Sequence, residues 1–206
     1  MSLSALEGLA RQRFSPSSKP NPETVVKFWR EAGHKMWFGG SAEFDDEISF
    51  RFLDWTAAAG LGELDSWQET PEGTFALLIM LDQFPRNMFR GSRYSYDFDA
   101  KAREVMDAAL KKSFDEGFSV EERKFFYLPA MHAEDRKRQE QSLDLFYKLG
   151  DPEWIKRAEA HASTIAEFGR YPHRNADIGR KSTMTEELYL IEMGMSAWWP
   201  QQRKRA

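Results

Sequence analysis

Apolar residues recur along this chain at helical spacing, and residues that open or close helices punctuate the recurrence. Ile48, Phe52, Trp55 and Ala59 step by four, three and four, which is one face of an amphipathic helix, and Gly60 and Gly62 then end it. The next segment carries Phe75, Leu78, Ile79 and Asp82 on one stripe. Its run FALLIML is apolar all round, which predicts a central helix with Pro71 in the first turn and Pro85 as the stop. A helix over 97–114 buries Ala102, Val105, Met106 and Ala109. Ser119 with Glu122 makes a capping-box pattern for the following helix, which Pro129 interrupts. Residues 134–149 form another, with Leu143, Phe146 and Leu149 inward and Gly150 as terminator. Asp151 and Pro152 open the next, which passes through Trp154, Ala158, His161 and Ile165 to Phe168 and stops at Gly169. The last starts at Ser182 or Thr183, with Thr183 and Glu186 as a second capping box and Leu188, Leu190, Ile191 and Met195 as its apolar side. No segment alternates as a strand between hairpin turns. The fold class is therefore all-α, a compact array of about seven to nine antiparallel helices joined by short connections.

The remaining bounds are compositional. The 206 residues fit one domain, expected over residues 22–199. Residues 15–22, SPSSKPNP, are too polar to repay their ordering, so residues 1–21 read as a mobile arm and 200–206 as a polar tail. The first ten residues carry no basic start and no long apolar stretch, and Arg11 and Arg13 come too late to supply one, so no secretory signal is expected. A net charge of -4 with no basic block argues against nucleic acid as a partner, and no apolar run is long enough to span a membrane. Zero cysteines exclude disulfides, thiolate metal sites and cysteine nucleophiles, and fit a cytoplasmic protein. Twenty-nine aromatic residues, seven of them tryptophan, supply a large core. Trp198 and Trp199, at the end of the last helix, either cap that core or mark a subunit contact.

Two polar stretches break the helical pattern, residues 81–91 (LDQFPRNMFRG) and 167–183 (EFGRYPHRNADIGRKST). Each places an aromatic residue before a proline and follows it with arginine and asparagine: Phe84, Pro85, Arg86, Asn87 in one, Tyr171, Pro172, Arg174, Asn175 in the other. Each then carries a further arginine, Arg90 and Arg180, and the prolines lie 87 positions apart, a weak internal repeat. Proline after an aromatic ends a helix and fixes the turn. Arginine offers a planar fork of donors for carboxylate or phosphate, and asparagine can satisfy open backbone groups. These residues are either polar clasps, with the arginines pairing to Asp82, Glu167 or Asp177, or the wall of a cavity that presents several arginines to an anionic ligand.

The four histidines are His34, His132, His161 and His173. His132 lies beside Glu134 and Asp135, and His173 lies inside the second polar turn. Histidines near carboxylates permit acid–base chemistry. There is no HExxH, GxSxG, GxxxxGK[ST] or GxGxxG string, so no metal site and no cofactor is expected, and Gly39 and Gly40 read as a turn.

Several long strings together resemble the bacterial family catalogued as domain of unknown function 924. They are Phe28–Trp29, Trp37–Phe38, FDDEISFRF (44–52), ALLIMLDQFPRNMFRG (76–91), FFYLPAMHAED (125–135) and HASTIAEFGRYPHRNADIGRKSTMTEE (161–187). The resemblance runs from about Val25 to about Ile191 and implies tetratricopeptide-like helical hairpins stacked in a compact right-handed array. It implies no activity. The family's motif positions fall on Asp82, Gln83, Arg86, Asn87, Arg90, His132, Glu134, Asp135, His161, Arg170, His173, Arg174, Asn175 and Arg180.

Two functions from different classes follow. One is a binding protein that holds a small anion or an acidic peptide group with Arg86, Asn87, Arg90, His132, Arg170, His173, Arg174, Asn175 and Arg180. The other is an enzyme acting on a phosphorylated or carboxylated metabolite, with His132 or His173 as general base and Asp135 or Glu134 orienting it. A third option is a protein adaptor, which an exposed apolar patch would favour.

Overall fold

A computed structural model describes residues 19–195, and all of its regular elements are helical. The N-terminal arm up to residue 18, Trp198, Trp199 and the polar tail lie outside the described residues, as does the side chain of Met195. In chain order the helices are α1 (Pro22–Gly39), α2 (Ala42–Leu61), α3 (Pro71–Leu78), α4 (Phe84–Met88), α5 (Asp99–Lys111), α6 (Val120–Met131), α7 (Arg136–Leu149), α8 (Pro152–Phe168) and α9 (Met184–Met195). Short 3-10 turns connect several of them, and a π-helical turn, Ile79–Gln83, joins α3 to α4. Among the described residues no helix is long and apolar enough to cross a membrane.

The caps follow local sequence. Asn21, Ser41, Thr70, Ser119, Asp135 and Asp151 each accept a backbone N–H from the first turn of the helix they precede. Ser119 and Glu122 form the full capping box, and Thr183 and Glu186 exchange the same pair of bonds before α9. Gly62, Gly150 and Gly169 close α2, α7 and α8 in the left-handed conformation.

Three proline and glycine expectations are corrected. The helical path does not stop at Pro85. The π turn lets the Phe84 N–H reach back five residues to the Ile79 carbonyl, which loosens the backbone ahead of the proline and lets α4 continue. Nor does Pro129 interrupt its helix. It sits two residues before the end of α6, so one intrahelical bond is lost while Phe125, Phe126 and Leu128 stay buried. Gly60 lies inside α2, where an added Cβ would meet the Phe98 ring at 2.2 Å, and only Gly62 is the terminator.

The core is aromatic and centred on α3. Phe75 to Leu81 and Phe84 are all fully buried. Around them Phe28, Trp29, Phe44, Phe52 and Phe125 pack ring against ring, at centroid separations of 4.9–6.4 Å where they meet. Each such burial contributes about 1.5–3 kcal/mol. In α1, Gly33 takes φ 69°, which kinks the helix, and beyond the kink Trp37 Nε1 donates back to the Trp29 carbonyl at 2.6 Å. The kinked half brings Trp37 and Phe38 to Phe125, and Phe38 on to Trp154 of α8. The apolar side expected of α9 is also corrected. Leu188 and Ile191 are 58% and 61% exposed and Leu190 is half-buried, while Glu186 is buried on its pair with Arg170 and Tyr189 packs on Phe168.

Gly73, in the first turn of α3, shows how close the packing is. Alanine at an unconstrained helical glycine stabilises by roughly 1 kcal/mol. Here the new Cβ would lie 2.3 Å from the Trp67 carbonyl oxygen, backbone that cannot swing aside. Gly73→Ala is therefore expected to destabilise by about 1–3 kcal/mol in urea unfolding, whereas Gly117→Ala, which meets nothing within 4 Å, should change little.

Candidate functional site

The π turn sets Asp82 into the interior, 1% exposed. Its Oδ1 lies 2.8 Å from His132 Nδ1, and Gln83 Nε2 donates to its Oδ2. His132 caps the end of α6. Arg86, four residues on from Asp82, donates to the Asp82 carbonyl at 2.6 Å and pairs with its carboxylate at 3.4 Å. Burial acts to raise the Asp82 pKa, but the Arg86 guanidinium and His132 overcome it and hold the carboxyl well below the usual range. Since an ionised carboxylate only accepts, His132 donates through Nδ1–H, and its Nε2 carries the lone pair.

The second polar turn arrives from the opposite end of the sequence. The Tyr171 hydroxyl donates to the Met131 carbonyl and accepts from Gln139 Nε2 at 2.9 Å, so the turn is tied to the end of α6. Arg174, 7% exposed, donates to the His132 carbonyl at 2.8 Å and to Asp99 Oδ2 at 3.3 Å. Its guanidinium lies over the rings of Tyr96 and Tyr171, at 4.4 and 4.8 Å. Arg86 Nη2 stands 2.9 Å from Asp99 Oδ1, an ion pair outside hydrogen-bond alignment. The two copies of the weak repeat thus place their arginines on one carboxylate, Asp99, at the start of α5. Arg86 Nη2, Asp99 Oδ1 and Arg174 Nε are buried and find no hydrogen-bond partner among the described residues.

The other arginines are clasps. Arg90 holds Asp45 of α2 at 2.6 and 3.2 Å, with Asn87 donating to the same carboxylate at 2.8 Å. Arg180 holds Glu134 at 2.6 and 2.8 Å, and Glu134 also accepts the Tyr171 N–H. Arg170 holds Glu186 at 2.6 and 2.9 Å. That hydrogen bond, followed by the Thr183 N–H, brings the Glu186 pKa down to about 2 against an opposing contribution from burial. Asn175, 1% exposed, joins Arg180, Ser182 and Glu186.

These elements enclose a cavity of about 490 Å³, within the size range of small-molecule sites. Arg86, Asn87, Arg90, His132, His173 and Arg174 lie on its wall, together with His161. Trp37, Phe38 and Trp154 line it as well, as do Tyr189 and Met193 of α9. Of the remaining sequence candidates, Arg170, Asn175 and Arg180 act in the clasps. Asp135 caps α7 by accepting the Arg138 N–H at 2.9 Å, and it lines a second hollow of about 590 Å³ that shares His132 and Arg174 with the first. The carboxylate beside His132 is Asp82, not Asp135 or Glu134. Among the described residues no arginine pairs with Glu167, and Asp177 accepts instead from the Tyr96 hydroxyl at 2.7 Å. Among the described residues, no group of three or more His, Cys, Asp or Glu side chains could hold a metal ion.

Sequence reasoning passed over Asp45, Tyr96 and Asp99. Asp45 carried a signal, since it lies three residues before Ile48 on the apolar stripe of α2, where a carboxylate needs a partner. Tyr96 and Asp99 carried none, because they lie in the 3-10 turn before α5 and at its first residue, and are defined only by what folds onto them.

The histidines around the cavity are neutral. Burial lowers the pKa of His132, with Arg86 acting the same way against Asp82. Burial takes His161 to about 3, although its Nδ1–H donates to the Arg157 carbonyl. Burial and Arg174 push His173 well down. A histidine with a lowered folded pKa binds fewer protons than the unfolded chain, so it costs no stability above pH 6.5 and costs more as pH falls below it. The unfolding midpoint should therefore drop as pH is lowered from 7 to 4.5, before the Asp82 pair protonates. Because the imidazoles face a cavity, the slope per histidine should fall short of the full value of about 1.4 kcal/mol per pH unit. His161→Gln should flatten this dependence, and equal slopes in both proteins would remove the burial argument.

No curated protein matches the chain. A solved structure of a protein of unknown function from Agrobacterium tumefaciens is similar at 42% identity and a TM-score of 0.81, covering 83% of this chain and 97% of that one. A family model described as "Bacterial protein of unknown function (DUF924)" matches residues 25–194, which span the π turn, both polar turns and the cavity they enclose, and the chain belongs to that family.

Proposed function

We propose that the 490 Å³ cavity binds a small anionic molecule and that Arg174 is its anchor. One observation carries this reading: Arg174 lines the cavity, and its Nε is a buried, charged donor without a hydrogen-bond partner among the described residues. A buried donor left over costs about 1–3 kcal/mol, and an anion on the guanidinium edge recovers it. Arg90, Arg170 and Arg180 support the site indirectly, since their two-pronged clasps fix the walls. The tetratricopeptide-like description belongs to the same proposal. It is supported by the succession of α6, α7 and α8 through short connections, with Gly150 and Asp151 alone between the last two.

A second reading, acid–base chemistry on the bound anion, is favoured by the 2.8 Å contact between Asp82 and His132. Asp82 fixes the tautomer, and the neutral Nε2 of His132 is able to take a proton. Arg86 and Arg174 would then face the charge that develops.

The test is a thermal-shift screen with phosphates, nucleotides and mono-, di- and tricarboxylates. A ligand at about 100 times its dissociation constant adds ~2.7 kcal/mol, or roughly 5–10 °C for a chain of this size. The shift should vanish in Arg174→Lys, which keeps the charge and loses the planar fork. An unchanged shift in that variant, or no shift from any compound, defeats the binding reading. For a compound that binds, product formation followed by mass spectrometry should fall by about 10²–10⁴-fold in His132→Gln with binding retained, and undiminished turnover would exclude His132 as the base.

A further inference from the structure

The cavity is chemically two-ended. At one end Trp37, Phe38 and Trp154 present aromatic surface, with Phe38 and Trp154 at 4.9 Å and the paired Arg157 guanidinium over the Trp154 ring at 5.1 Å. At the other, Arg174 lies between two tyrosine rings beside His132 and His161, whose rings are 6.5 Å apart. Helix α8 lines both ends, through Trp154 and His161. They are seven positions apart, which is about 10 Å along a helix axis.

Each arginine on the wall also has a carboxylate partner, on the wall or behind it. Arg90 is paired with Asp45, and Arg157 with Glu153. Arg86 and Arg174 share Asp82 and Asp99 between them. The histidines add no charge at neutral pH. A phosphate monoester carries nearly two negative charges at pH 7, and a partly desolvated site whose arginines are already paired offsets two added charges less well than one. One negative charge on a flat two-oxygen head matches the edge of one guanidinium.

From the anion-binding reading, on which this inference rests, we infer that the ligand class is an aromatic monocarboxylate, its ring against Phe38 and Trp154 and its carboxylate on Arg174. A cavity of about 150 Å³ suffices for benzene, so 490 Å³ takes an aryl group with a short acid side chain.

The experiment is calorimetric titration of the full chain with 3-phenylpropanoate, its primary amide, phenethyl phosphate and propanoate, run beside the broader anion screen. The expected result is that 3-phenylpropanoate binds at least about tenfold tighter than each of the others, a gap of about 1.4 kcal/mol. Phe38→Ala should narrow the gap between 3-phenylpropanoate and propanoate. Phenethyl phosphate or propanoate binding as tightly as the aromatic acid overturns the inference and leaves the anion site standing. So does binding by other screened anions with none by 3-phenylpropanoate. Binding by no anion in either set overturns the site itself.

Discussion

The fold around the cavity turns on Asp99, one buried carboxylate shared by two guanidiniums. Arg86 reaches it from α4, just past the π turn, and Arg174 from the turn after α8, 75 residues away in sequence from Asp99. Asp99 is the first residue of α5, where the helix dipole also favours a negative charge. None of the three is stable alone in a dry interior. Removing one partner of a buried pair typically costs about 3–5 kcal/mol, because the other is left uncompensated. The two turns are therefore obliged to arrive together, with Tyr96 beneath the Arg174 guanidinium. Burial acts to lower the pKa of that arginine, and Asp99 opposes it, which is the same requirement expressed as a protonation equilibrium.

Clasp and site are consequently parts of one arrangement rather than competing descriptions of the arginines. The pairs Arg90–Asp45, Arg180–Glu134 and Arg170–Glu186 each fix a backbone segment at the edge of the cavity: the start of α2, the second polar turn and α9. Gly40 shows how tightly one edge is drawn, because its Cβ position lies 3.0 Å from Arg90 Nη2. Two-pronged pairs hold orientation as well as distance. A wall built this way meets a ligand with little reorganisation, and the arginines that hold it are not available to bind the ligand themselves. Among the buried polar atoms without a hydrogen-bond partner in the described residues, those on Arg86, Asp99 and Arg174 lie together where these segments meet.

Much of this was readable in the sequence, but unevenly. Local signals were the most faithful. Asp151 before Pro152, Ser119 with Glu122 and Thr183 with Glu186 act through neighbours two or three residues away, and each does what its spacing implies. Prolines were less faithful, because their cost depends on what the surrounding core returns. Pro85 is tolerated by a π turn and Pro129 by nearness to a helix end. The exposed Leu188 and Ile191 show the same limit, since helical spacing marks an apolar stripe without showing what covers it. In the site, the arginine, asparagine and histidine types were legible, and their partners were not. Asp45, Tyr96 and Asp99 become site residues only through contacts at long sequence separation, which periodicity cannot encode.

The π turn links the fold to the chemistry. A regular α-helix through Ile79–Gln83 would keep its donors reaching back four residues. The π geometry moves the Phe84 N–H to the fifth, which accommodates Pro85 and sets the following turn. That step fixes where Asp82 meets His132 and where Arg86 meets Asp99. Asp82, buried and ionised, orients a neutral imidazole, and Arg86 balances the carboxylates on both sides of it. An electrically balanced pocket of this kind is strongly discriminating. It gains little from charge alone, and every added charge has to find its own donors in a desolvated place. Recognition there depends on shape along the aromatic end and on the geometry of one guanidinium, not on the overall electrostatic field of a protein that is itself slightly acidic.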